Sequence, residues 1–106
     1  MDLAIDITQE DTYYVVKPAG EIDVYTAPIL KEKLIPLTEE QGAKIKVDLH
    51  ETSYLDSTGL GIFINAYKSA EKHGSELTFI HLHDRILRLF KVTGLYKIMD
   101  IKESGE

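Results

Sequence analysis

The chain contains no cysteine. Disulfide bridges and thiolate metal sites are therefore excluded, and stability must come from a packed core. It also lacks any run approaching the roughly 18–20 apolar residues that a membrane helix requires. The first residues, Met1-Asp2-Leu3-Ala4-Ile5-Asp6, show neither the basic start nor the apolar stretch of a secretion signal. A cytoplasmic protein without membrane contact is the expectation. Positive charge is scarce: 12 Lys and Arg against 18 Asp and Glu leave a formal net charge of −6. A chain of that sign is repelled by a phosphate backbone, which argues against nucleic-acid binding by bulk electrostatics. Internal repeats, linkers and low-complexity segments are missing as well. What remains, 106 residues with 43% apolar content, is enough for one core and predicts a single domain over 1–106.

Hydrophobic periodicity places the elements. Leu3, Ile5 and Ile7 alternate with polar neighbours and predict a first strand, and Tyr13 to Lys17 predicts a second, antiparallel to it across the short Gln9-Glu10-Asp11 turn. Pro18 and Gly20 are expected to close that strand, with Glu21-Ile22-Asp23 a brief extended piece. Thr26 is the expected N-cap of a first helix, with Pro28 in its first turn and Pro36 ending or bending it. A strand over 44–49 follows, then a second helix from about Thr58 to His73 closed by Gly74. Glu76 to Leu82 reads as a strand and Asp84 as the cap of a third helix ended by Gly94. Lys97 to Ile101 reads as a last strand before a frayed tail, Glu103 to Glu106. The order β-β-α-β-α-β-α-β requires crossover connections. It predicts an α/β fold with a mixed, mostly parallel sheet of four to five strands and helices packed against it.

The most informative stretch is Asp56-Ser57-Thr58-Gly59-Leu60-Gly61. It lies between the 44–49 strand and Leu60, Phe63, Ile64, Tyr67 and Ala70, which recur at helical spacing. Ser57 is therefore expected at the N-cap, where free N–H groups and the helix dipole favour an anion. A phosphate could be carried there. As plain structure, a serine cap contributes about 0.5–2 kcal/mol and needs no function. Two glycines in the first turns cost about 1 kcal/mol each relative to alanine. They permit either close helix–sheet packing or the close approach of a partner over a bare backbone. Asp23, in Gly20-Glu21-Ile22-Asp23, falls in a loop near a sheet edge, and on residues alone it is a solvated turn aspartate. Were that loop at the same end as Ser57, Asp23 could orient the hydroxyl or meet a partner.

Three motifs in this order and spacing resemble the STAS-domain anti-sigma factor antagonists, in their general-stress (RsbV-type) branch. They are Gly20-Glu21-Ile22-Asp23, Asp56-Ser57-Thr58-Gly59-Leu60-Gly61 and Arg88-Leu89-Phe90-Lys91-Val92-Thr93-Gly94-Leu95, and together they span nearly the whole chain. The resemblance implies a partner-switching protein of Gram-positive bacteria that is not an enzyme and positively regulates an alternative sigma factor. Its unphosphorylated form would bind an anti-sigma factor that is also a serine kinase. Phosphorylation at Ser57 would break the complex, and a metal-dependent serine phosphatase would restore it. By the same resemblance Asp56 is the preceding acid, Asp23 the first-loop acid and Thr58 a minor second acceptor. The partner-binding set is Asp23, Asp56, Ser57, Thr58, Gly59 and Gly61. The short tail leaves open a final helix of the fold. The alternative is a non-switching STAS scaffold or a nucleotide- or ligand-binding module in which Ser57 only caps a helix.

Other constellations are weaker. Leu55 stands where a nucleophile elbow needs glycine, and His50 has no evident orienting acid, which argues against a serine hydrolase. His81, His83 and Asp84 have a spacing a metal could use, but no third and fourth ligand is evident. Gly59 and Gly61 lack the third glycine of a dinucleotide fingerprint, and no Walker lysine follows, so no cofactor is expected. Arg85, Arg88 and Lys91 recur along one helix face, which reads first as a solvated outer face and second as a docking edge for an acidic protein surface. Tyr25 and Tyr54 flank the two motif loops and could anchor an interface.

Overall fold

The computed structural model describes residues 2–102. The tail expected to fray, and with it any final helix, lies outside the described residues. The element order is β1 (Leu3–Glu10), β2 (Tyr13–Ile22), α1 (Ala27–Thr38), β3 (Lys44–Asp48), β4 (Thr52–Leu55), α2 (Ser57–His73), β5 (Glu76–Ile80), α3 (Asp84–Val92), α4 (Leu95–Ile98) and β6 (Asp100–Lys102). The α/β, mostly parallel architecture is as expected. The sheet, however, has six strands, ordered β1-β2-β3-β5-β6 with β4 paired to β2. Only β1 runs antiparallel.

The added strand follows from the length of β2. Its first half pairs with β3, from Tyr13↔Lys44 to Val16↔Val47. Its second half pairs with β4, at Gly20↔Thr52, Glu21↔Tyr54 and Ile22↔Leu55. Pro18 and Gly20 therefore sit inside a continuous strand instead of closing it. Pro18 is tolerated because it falls between the two partners, where no ladder bond is asked of its nitrogen. Its carbonyl accepts the Thr52 hydroxyl at 2.8 Å on that side. Gly20 has φ +119°, and a Cβ there would run into the Asp2 carbonyl.

Helices α1, α2 and α3 pack on one face of the sheet. Phe63 of α2, Phe79 of β5 and Phe90 of α3 are fully buried and meet at centroid distances of 5.0, 5.5 and 6.3 Å. Leu30 and Leu34 of α1 complete this layer with Val16, Ile45 and Val47. Thr38 donates to Ser69 at 2.7 Å across the α1–α2 contact. The helix α1 continues through Pro36 to Thr38, so the proline ends nothing. Tyr14 donates to Glu40 at 2.9 Å, and this bond to a carboxylate raises the phenol above its usual range. The opposite sheet face is polar in register, with Tyr13, Lys44 and Glu76 in one row and Val15, Lys46, Thr78 and Asp100 in the next. At the far end, residues 95–98 form a helical turn before β6, where a single strand was expected.

The start of α2 departs from expectation in an instructive way. Its N-cap is Asp56, in extended conformation, whose Oδ1 accepts the Gly59 N–H at 3.0 Å. Ser57 is the first helical residue, not the cap. Gly59 and Gly61 also separate in role. A Cβ on Gly59 would lie 2.5 Å from Ile22 Cγ2 and 2.6 Å from Leu55 Cδ1, whereas nothing stands within 4 Å of one on Gly61.

Two comparisons by thermal unfolding follow. Gly59→Ala should lose about 1–3 kcal/mol through overpacking, while Gly61→Ala should gain about 0.5–1 kcal/mol of helix propensity. Asp56→Ala should lose about 0.5–2 kcal/mol with its cap, while Ser57→Ala should stay within about 0.5 kcal/mol of the parent. Equal losses at 56 and 57 would refute the assignment of the cap.

Candidate functional site

Because β2 and β4 run side by side, the chain leaves both at the same end of the sheet. The Asp56 N–H donates to the Ile22 carbonyl at 3.2 Å, and the next residues of the two segments are Asp23 and Ser57. The loop after β2 and the first turn of α2 thus form one corner, at the carboxyl end of parallel strands, where open α/β sheets receive ligands and partners. The glycine seat at Ile22 holds the two pieces together.

At this corner Ser57 and Thr58 are exposed. Among the described residues neither hydroxyl has a hydrogen-bond partner. Their amides belong to the first helical turn, which α2 itself leaves unused. Asp56 spends one oxygen on the Gly59 amide and is half-buried beside the serine. Chemically this is a free alcohol on the positive end of a 17-residue helix, next to a carboxylate that the fold already employs.

Asp23 is not a solvated turn residue: it is only 4% exposed. Its Oδ1 accepts the amides of Tyr25 and Thr26 at 2.9 and 3.0 Å, and its carbonyl accepts the Ala27 N–H at 2.8 Å. Asp23 therefore caps the turn that leads into α1. Thr26, the expected cap, turns its hydroxyl back to accept from the Asp23 amide and donate to the Glu21 carbonyl at 2.7 Å. The other Asp23 oxygen, Oδ2, is buried without a hydrogen-bond partner among the described residues. The sequence signal for this role was the Asp-x-x-Thr spacing, which fits a reciprocal turn as well as a solvated one.

The capped turn exposes what it holds. Tyr25 is 79% exposed, and Val24, Ile29 and Tyr54 are exposed as well. Val24 and Tyr25 lie in the loop after β2, Ile29 at the start of α1, and Tyr54 on β4 opposite Glu21. Residues this apolar at a surface mark an interaction site when they cluster. Val24 and Ile29 carry no motif and were passed over in the sequence.

The histidines are engaged elsewhere. β5 ends at Ile80, so His81 and His83 do not share a strand face, and His81 has φ +59°. His81 Nδ1 lies 3.0 Å from Asp48 Oδ1, and His83 Nε2 donates to the Thr52 carbonyl at 2.7 Å. His83 also precedes α3 as its N-cap position, with Asp84 one residue inside the helix. Among the described residues no group of three or more His, Asp or Glu is placed to hold a metal ion, and no helix is long and apolar enough to cross a membrane.

Residues 4–106 match the family model for the STAS domain. An anti-sigma-B factor antagonist of Bacillus subtilis (strain 168) is 46% identical over 106 residues, covering all of this chain and 96% of that protein. One from Listeria monocytogenes serovar 1/2a is 47% identical over 103 residues, covering 96% of this chain and 90% of that protein. Among solved structures, a putative anti-sigma factor antagonist from Thermotoga maritima superposes with a TM-score of 0.86 at 21% identity, over 94% of this chain and 86% of that one. The fold that builds the corner is thus a recurrent one, and the chain is a member of the STAS-domain family of anti-sigma factor antagonists.

Proposed function

We propose that this protein is the antagonist arm of a partner switch and that Ser57 is its control point. In its unmodified form it binds an anti-sigma factor that is also a serine kinase, and so frees an alternative sigma factor. The kinase phosphorylates Ser57, with Thr58 a minor acceptor, and thereby loses its hold. A serine phosphatase resets the chain. The protein acts by binding in the cytoplasm and catalyses nothing itself.

The observation that carries this reading is the division of labour between Asp56 and Ser57. The cap is Asp56, so the serine hydroxyl is left over by the fold and exposed, next to a loop that itself exposes Val24 and Tyr25. A phosphate adds about −1.5 to −2 charge at neutral pH. The helix terminus tolerates that charge, so the domain stays folded. A partner fitted to a neutral hydroxyl meets bulk, desolvation and repulsion instead. Gly61, with open space above it, gives such a partner access to the backbone, while Gly59 is committed to packing. Asp23 acts through the loop it caps: it presents Val24 and Tyr25. The reading of Ser57 as a mere helix cap has no observation in its favour, because Asp56 has that role.

The test is a binding titration with the anti-sigma factor of the same organism. Ser57→Ala should bind within about twofold of the parent, and Ser57→Asp should bind at least about 100-fold more weakly, equivalent to about 2.7 kcal/mol. Peptide mapping after incubation with ATP and that kinase should place the phosphate on Ser57. Equal affinities for the two variants would defeat the switch.

A further inference from the structure

Residues 85–99 hold four of the chain's twelve Lys and Arg and none of its eighteen Asp and Glu. In a protein of net charge −6 this is a marked local reversal. The structure folds the segment into α3, a left-handed turn at Gly94 (φ +83°) and α4. Ile86 and Phe90 are buried, which turns Arg85, Arg88, Lys91 and Val92 outward along one stripe. Lys91 Nζ lies 5.0 Å from the Tyr96 ring centroid. Arg85, Arg88 and Lys97 form no ion pair among the described residues. Between the cations stand two exposed aliphatic side chains, Val92 at 72% and Ile98 at 55%. The surface is thus basic with an apolar centre, and its charge complement is an acidic surface with an apolar centre of its own.

Its place in the fold decides the occupant. Both α2 and α3 leave the carboxyl ends of parallel strands and run back over the same sheet face. Phe63 and Phe90, each six residues into its helix, meet at 6.3 Å. His83, at the start of α3, donates to the Thr52 carbonyl at 2.7 Å, which ties that end of α3 to the start of β4, the strand that leads to Ser57. A partner interface of standard size covers about 800 Å² on each side, a disc of roughly 16 Å radius. On a molecule of 31 × 27 × 23 Å, such a footprint centred on Ser57 extends well beyond the corner itself.

We propose that the Arg85–Arg88–Lys91–Lys97 stripe receives an acidic surface of the same anti-sigma factor that binds at Ser57, and steers it onto that corner. This rests on the switch reading above and adds to it the electrostatic half of the interface. An acidic partner is repelled by most of this chain. The reversed segment makes one approach attractive, and that approach ends beside the serine. Phosphorylation then opposes the pull at its inner edge while leaving the stripe unchanged.

The experiment is stopped-flow association with the purified anti-sigma factor of the same organism, at low salt and at about 0.5 M salt. Arg85→Glu/Arg88→Glu is compared with Lys44→Glu/Lys72→Glu, which changes net charge equally at the opposite end of the sheet. Lys44 opens β3 and Lys72 lies in the last turn of α2. Circular dichroism and melting confirm that both double variants fold. At low salt the α3 pair should slow association on the order of tenfold and flatten its salt dependence, and the control pair should change it less than about threefold. Equal effects of the two pairs, or none from either, would overturn the stripe. Ser57→Asp is measured alongside. If it still abolishes binding while the α3 pair has no effect, only the stripe fails; if it too has no effect, the switch itself fails.

Discussion

The contact of Gly59 with Ile22 is the constraint on which the rest of the corner depends. A hydrogen atom in place of a side chain lets the first turn of α2 come down onto the end of β2. The β2–β4 ladder sets the register of that approach, and the Asp56–Ile22 backbone bond finishes it. A side chain at 59 would press on Ile22 and Leu55, so that either they or the first turn of α2 must shift. The phenylalanine cluster holds the same helix near its middle, through Phe63, so α2 is fastened at more than one point of its inner face. The corner is therefore a product of packing, and its loops inherit their positions from rigid elements instead of wandering.

Much of this was legible in the residues, and the parts that were not share a cause. Alternation in Leu3-Ile5-Ile7 and 44–49, helical spacing after Ser57, and the Gly74 and Gly94 stops all report local preference, and local preference prevailed there. The four-residue strand β4 was invisible because Thr52-Ser53-Tyr54-Leu55 has no period long enough to read. It is a strand only because β2 offers it a partner. Pro18 was misread for the same reason, since its tolerance depends on a gap between two neighbours that the sequence does not display. Caps slipped by one residue at both α2 and α3, where adjacent polar side chains, Asp56-Ser57 and His83-Asp84, compete for one role. Only geometry shows that Asp56 reaches the Gly59 amide at α2, and that at α3 His83 holds the cap position with its ring turned to the Thr52 carbonyl.

The site was legible as a set of motifs and illegible as a set of roles. Asp23 is the clearest case. Its type and its neighbours suit an exposed turn, yet tertiary packing buries it and spends its oxygen on two amides. The motif glycines, alike in sequence, are opposites in space, one pressed on Ile22 and one facing nothing. Val24 and Ile29 gain meaning only because the fold leaves them exposed, one in the loop after β2 and one at the start of α1. By contrast the acid-free stretch from Arg85 to Met99 needs no structure to be noticed. What the fold adds is its place after His83, which is tied to the start of β4.

The spare hydroxyl at Ser57 has a consequence for the lifetime of the molecule. A side chain that bears no architectural duty can be altered and then returned to its first state without disturbing its neighbours. The neighbouring aspartate keeps the helix in order throughout. Under the proposed switch, information written at such a position would be erasable, and one copy of the protein would serve through many rounds before it had to be made again.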